Sequence, residues 1–373
     1  MDRNELTVRT VEDGAHLMDL RREPSEADRP AFSFLMTAYR TEQTLPRTIE
    51  AVRTQTRGDW ELIVVDNGYS EAIVQTVSPY LSDPRIRLIR QENRGPTGGV
   101  MAAAAVAVGR YLTVVTSDDA IAPEFCARTS QVLESDPGIA AVTCDAHLFV
   151  HPGGRHLARS YLETAGMRRP PDVGCRLRVA DVIDGPCPYY SAAIRRDVWE
   201  AMGGMMTDIV GDLDFWLRIL VAGYDVRMLP DRLGLFRIEA GSESRPTETD
   251  RIETFEEQRE RALCRAAELS ADPADMAALG RVLRRLRYEQ AIRRARIAIG
   301  AGHVDEARRQ VSGAFALQRT ARSGAILLAL RVSPRLLARL HPIKQHVQTR
   351  LEDALLTGWK TQRLRRARRV KTP

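Results

Sequence analysis

An α/β fold is predicted: a mostly parallel sheet flanked by helices, followed by an all-α C-terminal region. Three observations carry the prediction. From about residue 31 to 245, short apolar runs of strand type alternate with helical patterns. Such alternation implies a parallel sheet covered by helices. Beyond about residue 250 strand signals stop, and helical stretches rich in Arg and Ala take over. The chain has 373 residues, 44% apolar and 28% charged, enough to bury a substantial core in one large domain or two. The expected division is a polar leader over 1–30, an α/β domain over 31–245 and a helical region with a basic tail over 246–373.

Each element follows from local pattern. "FSFLM" (32–36) reads as a buried strand, and "TLPRTIEAVRTQ" as a helix whose Leu45, Ile49 and Val52 share one face. "ELIVVD", "IRLIR" and "YLTVV" are the second, third and fourth strands. "GGVMAAAAVAVG" between the third and fourth is a helix, as is "PEFCARTSQVLES" after the fourth. "IAAVTCDA" is a fifth strand. Residues 140–240 are less regular. Strand character appears in "YYSAAI" and helices in "RRDVWEAMG" and "GDLDFWLRILVAG", the last stopped by Gly223. Trp199 and Trp216, at helical spacing beside Leu and Ile, are expected in the core. The helices joined at "GAGH" read as a single hairpin, not a solenoid.

Composition bounds the class further. Formal net charge is +6, with a strongly basic end, "QRLRRARRVKTP". The five cysteines, Cys126, Cys144, Cys175, Cys187 and Cys264, are scattered and lack CxxC spacing. Neither a zinc site nor a disulfide framework is indicated, and a reducing cytoplasm is expected. The polar, acidic N-terminus has no apolar signal core. The run "GAILLAL" is far short of the roughly 20 residues a membrane span needs.

In sheets of this kind ligands bind beyond the carboxyl ends of the strands. Two strand ends on that rim are acidic, "VVDNG" (64–68) and "VVTSDDA" (114–120). Acids there make a polar site, and they equally suit caps of the following helix or turn.

Four segments in order resemble the family 2 glycosyltransferases, which have a GT-A, Rossmann-like fold. The resemblance covers roughly residues 31–242 and rests on "FSFLMTAYRTEQTLPRTIEAVRTQTRGDWELIVVDNGYSE", "IRLIRQENRGPTGG", "YLTVVTSDDAIAPEF" and "GDLDFWLRILVAGYDVRMLPDRLGLFRIEAGS". It implies transfer of a sugar from a nucleotide-diphosphate donor, most commonly UDP-linked, to a hydroxyl acceptor, with inversion. The departing diphosphate needs a divalent cation, Mn²⁺ or Mg²⁺, and hard cations prefer carboxylate oxygens. By the resemblance, Asp118 is the metal-binding acid, ending the motif Thr116-Ser117-Asp118, and Asp119 a supporting or alternative ligand. Asp66 matches the acid that meets the nucleotide base. Ala38 and Tyr39 match positions lining base and ribose, and Arg94 lies where a cation approaches the nucleotide. Asp212 matches the base that takes the acceptor's proton. Its other reading is a helix N-cap, and Asp214 is the fallback. Tyr189 and Tyr190, after "GPCP", divide between acceptor contact and packing. Cys187 is expected to be a small buried residue.

The sequence departs from the family pattern at Thr116, where an acid is usual, and at Gly211, where Glu is usual. It departs again at "FRIE", which puts Glu239 where a His would approach the metal, and at "GGVMA" (98–102), which lacks an Arg-Asn pair. Two other readings compete: a degenerate glycosyltransferase fold serving as a binding module, and a nucleotidylyltransferase. The second wants a Gly-rich phosphate loop after the first strand, and "TAYRTEQTLP" has no glycine. The leading reading of the resemblance is an enzyme of bacterial surface glycan assembly, acting on a glycan or lipid-linked acceptor. In the C-terminal region Leu336, Leu337, Leu340 and Ile343 share one helical side with Arg335 and Arg339 beside them. That stripe and the basic tail predict peripheral contact with the inner face of the plasma membrane, or packing within the protein. No aromatics interleave the basic tail, so no nucleic-acid partner is expected.

Overall fold

The computed structural model describes residues 7–11, 15–19, 29–150, 155–167, 169–207, 209–238 and 249–332. The chain divides into two compact units, Met1–Leu279 and Gly280–Pro373.

In the first unit, part of the expected leader is ordered as a hairpin: β1 (Thr7–Val11) pairs antiparallel with β2 (Ala15–Asp19). The expected alternation follows as β3 (Phe32–Ala38), α1 (Leu45–Arg53), β4 (Trp60–Asn67), α2 (Glu71–Val77), β5 (Ile86–Gln91), α3 (Gly95–Val106) and β6 (Tyr111–Val114). Helix α1 buries Leu45, Thr48, Ile49 and Val52, the face its spacing predicts. Then come β7 (Ala120–Ile121), α4 (Phe125–Ser135), β8 (Ile139–Val150) and β9 (Arg155–Ser160). After them lie α5 (Tyr161–Thr164), α6 (Val179–Ile183), β10 (Ala193–Arg195) and α7 (Arg196–Ala201). The unit continues with α8 (Gly211–Val221), β11 (Asp225–Ile238) and α9 (Thr249–Ser270).

The sheet runs β5-β4-β3-β6-β10-β8-β11-β7, with β9 on β8. The β5-β4-β3-β6 side is parallel throughout, as expected. Beyond it the sheet is mixed. β10 enters antiparallel between β6 and β8, β11 is parallel to β8, and β7 and β9 are antiparallel to β11 and β8. Only Ala193–Arg195 of the expected "YYSAAI" region is strand, because Tyr189 to Ala192 form the loop leading in.

Two contacts hold the parallel half together. Glu61 and Arg87 are buried partners on neighbouring strands, 3.1 Å apart. Glu61 also accepts from Ser33 Oγ at 2.5 Å and from the Val108 N–H at 2.8 Å, while Arg87 donates to the Val106 carbonyl at 2.6 Å. This polar knot joins β3, β4, β5 and the turn after α3. On the same face of the strands, further along, α3 comes very close to β3. A Cβ at Gly99 would lie 2.3 Å from Thr37 Cγ2, so only glycine permits that approach.

Helix α9 had been grouped by sequence with the C-terminal region. It packs on α8 and α6 within the first unit. The division between the two compact units falls inside α10 (Pro273–Gly300). In the second unit, α10 is followed by α11 (Val304–Leu317) and α12 (Ala321–Val332), with the expected hairpin between the first two. Ala295, Ala298 and Ile299 meet Ala307, Val311 and Leu330 in a small core. The two units carry opposite charge. Residues 1–279 hold 32 Lys and Arg against 44 Asp and Glu, while 280–373 hold 23 against 5. Among the described residues no helix is long and apolar enough to cross a membrane.

Glu61→Ala leaves Arg87 buried without its carboxylate. The variant should lose about 3–5 kcal/mol of stability, the usual cost of removing one member of a buried pair. Urea unfolding measures this, and an unchanged midpoint would show that the knot holds nothing.

Candidate active site

The carboxyl ends of β3, β4 and β6 lie side by side, because β3 pairs in parallel with both its neighbours. Ala38, the last residue of β3, is fully buried and registers with Asp66 on β4. Tyr39 follows and is 43% exposed. Its ring lies against Gly68, where a Cβ would come within 3.1 Å of it. Arg40 and Tyr69 both take left-handed backbone conformations, φ 56° and 50°, uncommon for residues with side chains. Tyr69 is 40% exposed and carries the Arg90 guanidinium over its ring at 5.6 Å.

Asp66 is 1% exposed. Its Oδ2 accepts from Arg90 Nε at 2.9 Å and its Oδ1 from the Ser70 N–H at 3.0 Å. A base contact at Asp66 would share oxygens that already accept these bonds. Neither Arg90 nor Tyr69 had been singled out by sequence. The signal for Arg90 was present in the strand register, which places it beside Asp66, but register is not readable before the neighbours are known.

Asn67, also buried, fixes the next loop. It donates to the Gly95 carbonyl at 2.9 Å and accepts from the Arg94 N–H at 3.2 Å. Arg94 is exposed immediately before α3.

The end of β6 divides its two adjacent acids. Ser117 is buried. Asp118 is half-buried and makes no hydrogen bond or ion pair with the described residues. Asp119 is buried and fully occupied. It accepts from the Arg237 N–H at 2.6 Å and from the Tyr190 hydroxyl, while its carbonyl accepts from Thr48 Oγ1 at 2.6 Å. Burial, and then the neighbouring Asp118 charge, push its carboxyl up to about 7. These bonds tie Asp119 to β11, to the loop holding Tyr190 and to α1. Thr116, where an acid is usual, pairs with Tyr190 Oη at 2.8 Å.

The two tyrosines separate. Tyr189 is fully buried, its ring packed where a Cβ on Gly234 would collide at 2.2 Å. Its hydroxyl donates to Asp119 Oδ2 at 3.4 Å, so Tyr189 packs in the core with its polar end on that carboxylate. Tyr190 is half-buried, with its hydroxyl on Thr116 and Asp119. Trp199 and Trp216 are core residues, 3% and 1% exposed.

At the other side of the same loop lies α8. Its N-cap is Val210, so Asp212 is not the cap. It sits in the first turn, where the helix dipole favours an acid. Its Oδ1 accepts from the Leu213 N–H at 2.8 Å, and its Oδ2 faces Cys187 Sγ at 3.8 Å. Burial raises its carboxyl above the ordinary range, opposed in part by the Leu213 N–H. Asp214 is different. It pairs with Arg218 at 2.7 Å, and Arg218 also donates to the carbonyls of Met202 and Gly204, both at 2.6 Å. This pair anchors the loop before α8.

The tetrapeptide Cys187–Tyr190 touches both acidic ends, Asp212 at its start and Thr116 and Asp119 at its finish. Three residue steps span at most about 11 Å. No group of three or more His, Cys, Asp or Glu suited to a metal occurs among the described residues. Glu239, expected across the metal site, lies outside them. All five cysteines are free.

Residues 33–200 match the model for glycosyl transferase family 2. "Succinoglycan biosynthesis protein ExoO" of Rhizobium meliloti (strain 1021) is 33% identical over 142 residues, 38% of this chain and 40% of that protein. The chain thus spans less than half the length of that relative. Among solved structures, S. aureus TarS in complex with UDP-GlcNAc superposes with a TM-score of 0.56 at 14% identity, covering 88% of this chain and 92% of that one. The mannosyltransferase PcManGT from Pyrobaculum calidifontis, in complex with GDP-Man and Mn²⁺, superposes with a TM-score of 0.52 at 17% identity, covering 84% of each chain. Residues 33–200 thus carry a glycosyl transferase family 2 domain, on a fold shared with these solved structures.

Proposed function

We propose that the protein moves a sugar from a nucleotide-diphosphate donor to a hydroxyl acceptor, with inversion and with a divalent cation, in bacterial surface glycan assembly. The carrying observation is the tetrapeptide Cys187–Tyr190, which brings a buried acid of raised pKa and an acidic strand end within one short loop. The donor class draws support from the structural neighbours, one bound to UDP-GlcNAc and one to GDP-Man. The pathway draws support from the succinoglycan biosynthesis relative.

In this reading the nucleotide lies along the ends of β3 and β4. Tyr39 and Tyr69 present exposed rings for the base, and Arg94 approaches the phosphates. Asp118, half-buried and with its oxygens available, fits one ligand position of Mn²⁺ or Mg²⁺, and Glu239 is the second ligand assigned by resemblance. When bound, the cation neutralises charge on the departing diphosphate. Asp212 takes the proton of the attacking hydroxyl. Its raised pKa makes it a better base than an exposed aspartate.

Two variants separate the roles. Asp118→Asn should lose Mn²⁺-dependent binding of UDP-sugars, read as a lost melting-temperature shift. Asp212→Asn should keep that shift and lower turnover by on the order of 10²–10⁴. Turnover at the parental rate in Asp212→Asn would remove it as the base, and unaltered Mn²⁺-dependent binding in Asp118→Asn would remove that metal ligand.

Asp212 also carries a cost in stability. A carboxyl whose pKa is raised in the folded state stabilises the protein only while protonated. That contribution is present below the unfolded value near 3.9 and is lost as pH rises through the folded value. Asp212→Asn should therefore melt above the parent at pH 8, with the gap narrowing towards pH 5. A lower melting temperature at pH 8 would contradict the raised pKa.

The acceptor is read as a glycan or a lipid-linked intermediate, and the basic second unit supports contact with anionic lipid. It carries 23 Lys and Arg against 5 acids, and on α12 the exposed Leu328 and Val332 lie beside Arg331. The stripe of Leu336, Leu337, Leu340 and Ile343 lies outside the described residues. Each cation near an anionic surface adds about 1 kcal/mol. The protein should co-sediment with vesicles containing phosphatidylglycerol and be released as salt rises. Protein remaining in the supernatant at low salt would exclude this contact.

A further inference from the structure

The environment of Asp212 contains a neighbour to which the reaction above assigns no part. Cys187 lies between Pro186 and Pro188, whose rings restrict the backbone on both sides. Its carbonyl accepts from the Tyr161 hydroxyl at 3.2 Å, and the Tyr161 ring packs on Tyr189 at 5.4 Å between centroids. The cysteine is thus held from behind by α5 and from the chain itself. Its Sγ then donates to Asp212 Oδ2 at 3.8 Å, while Oδ1 receives the Leu213 N–H at 2.8 Å. Both oxygens of the carboxylate are engaged, one by a strong donor and one by a weak donor.

We propose that Cys187 is a positioning residue, whose thiol holds the Asp212 carboxylate in one orientation while leaving Oδ2 able to take the acceptor's proton. This rests on Asp212 being the base. In the step itself the acceptor O–H proton passes to Oδ2 and the acceptor oxygen bonds the anomeric carbon. The bond from that carbon to the diphosphate oxygen breaks, and the diphosphate leaves with the electron pair. A hydroxyl in place of the thiol would donate more strongly and make the carboxylate a poorer base. A thiol orients the group at less cost to basicity. The thiol stays protonated, because burial and the Asp212 charge push it well above its ordinary range.

Other charges around the pair are accounted for. On α8 itself Asp214 is paired with Arg218. On α6, which packs on α8, Asp181 is paired with Arg178, and Asp184 follows at the C-cap. Helix α9 brings the half-buried Glu253, Glu256, Arg259 and Glu260, and of these the Arg259 guanidinium acts on the Cys187 thiol and the Tyr161 phenol.

The first test needs no substrate. The melting-temperature gain of Asp212→Asn at pH 8 reports how costly the carboxylate is. That gain should be larger in a Cys187→Ala background, where the charged form has lost its donor, and smaller in Cys187→Ser. A cysteine with a purely structural role would leave the gain equal in all three backgrounds, and equal gains overturn the proposal. The second test follows hydrolysis of UDP-GlcNAc with Mn²⁺, water standing in for the acceptor, across pH. The acid limb should move to lower pH in Cys187→Ser and to higher pH in Cys187→Ala. The Ala variant should turn over about 2- to 10-fold more slowly at unchanged KM, the worth of one neutral hydrogen bond. Limbs that coincide with the parent's, or that shift together, overturn the proposal. If Asp212→Asn hydrolyses at the parental rate, the base assignment falls and this role falls with it. If Asp212→Asn is inactive and the Cys187 limbs do not move, only the positioning role is lost.

Discussion

Asp119 is the constraint on which the rest of the site depends. One residue accepts an N–H from β11, a phenol from the 187–190 loop and a hydroxyl from α1. Remove any of these elements and the others lose their common anchor. An acid so deeply placed is expensive as an anion, and its carboxyl is pushed up to about 7 by burial and by Asp118. The donors around it offset that cost. This explains why a buried strand ends in two adjacent acids. One holds the junction together, and the other, Asp118, is half-buried and makes no hydrogen bond or ion pair with the described residues.

The same division recurs in α8. Asp212 and Asp214 are two residues apart, yet their surroundings are opposite. Asp214 is committed to Arg218, one turn along, which in turn fixes the carbonyls of Met202 and Gly204. Asp212 meets only a backbone N–H and a thiol, and burial raises its pKa. Pairing keeps the first as structure. Burial, with no ion pair among the described residues, leaves the second with a raised pKa.

Much of this was legible in the sequence, and what was not has a physical reason. The parallel half could be read because each of its strands is a continuous apolar run followed by a helical pattern. The order of acidic strand ends followed from the rule that such sheets bind at one rim. Strand β10 was not legible at its true length, since three residues carry no periodicity and its place between β6 and β8 is a long-range fact. The Arg90–Asp66 pair depends on register between β4 and β5, which no local pattern contains. Tyr189 and Tyr190 could not be told apart, because whether a side chain meets the core or the rim depends on Gly234 and Thr116, far away in sequence. The Asp214–Arg218 pair, by contrast, was readable as an i,i+4 spacing of opposite charges.

The opposed charges of the two units bear on affinity for a charged surface. Residues 1–279 carry an excess of twelve acids and residues 280–373 an excess of eighteen bases. A uniformly basic protein approaches an anionic surface in any attitude. In a chain divided in this way an anionic surface attracts one part and repels the other. Both effects act only within a Debye length of about 8 Å at physiological salt. The net charge of +6 therefore understates the pull such a surface would exert on residues 280–373 alone.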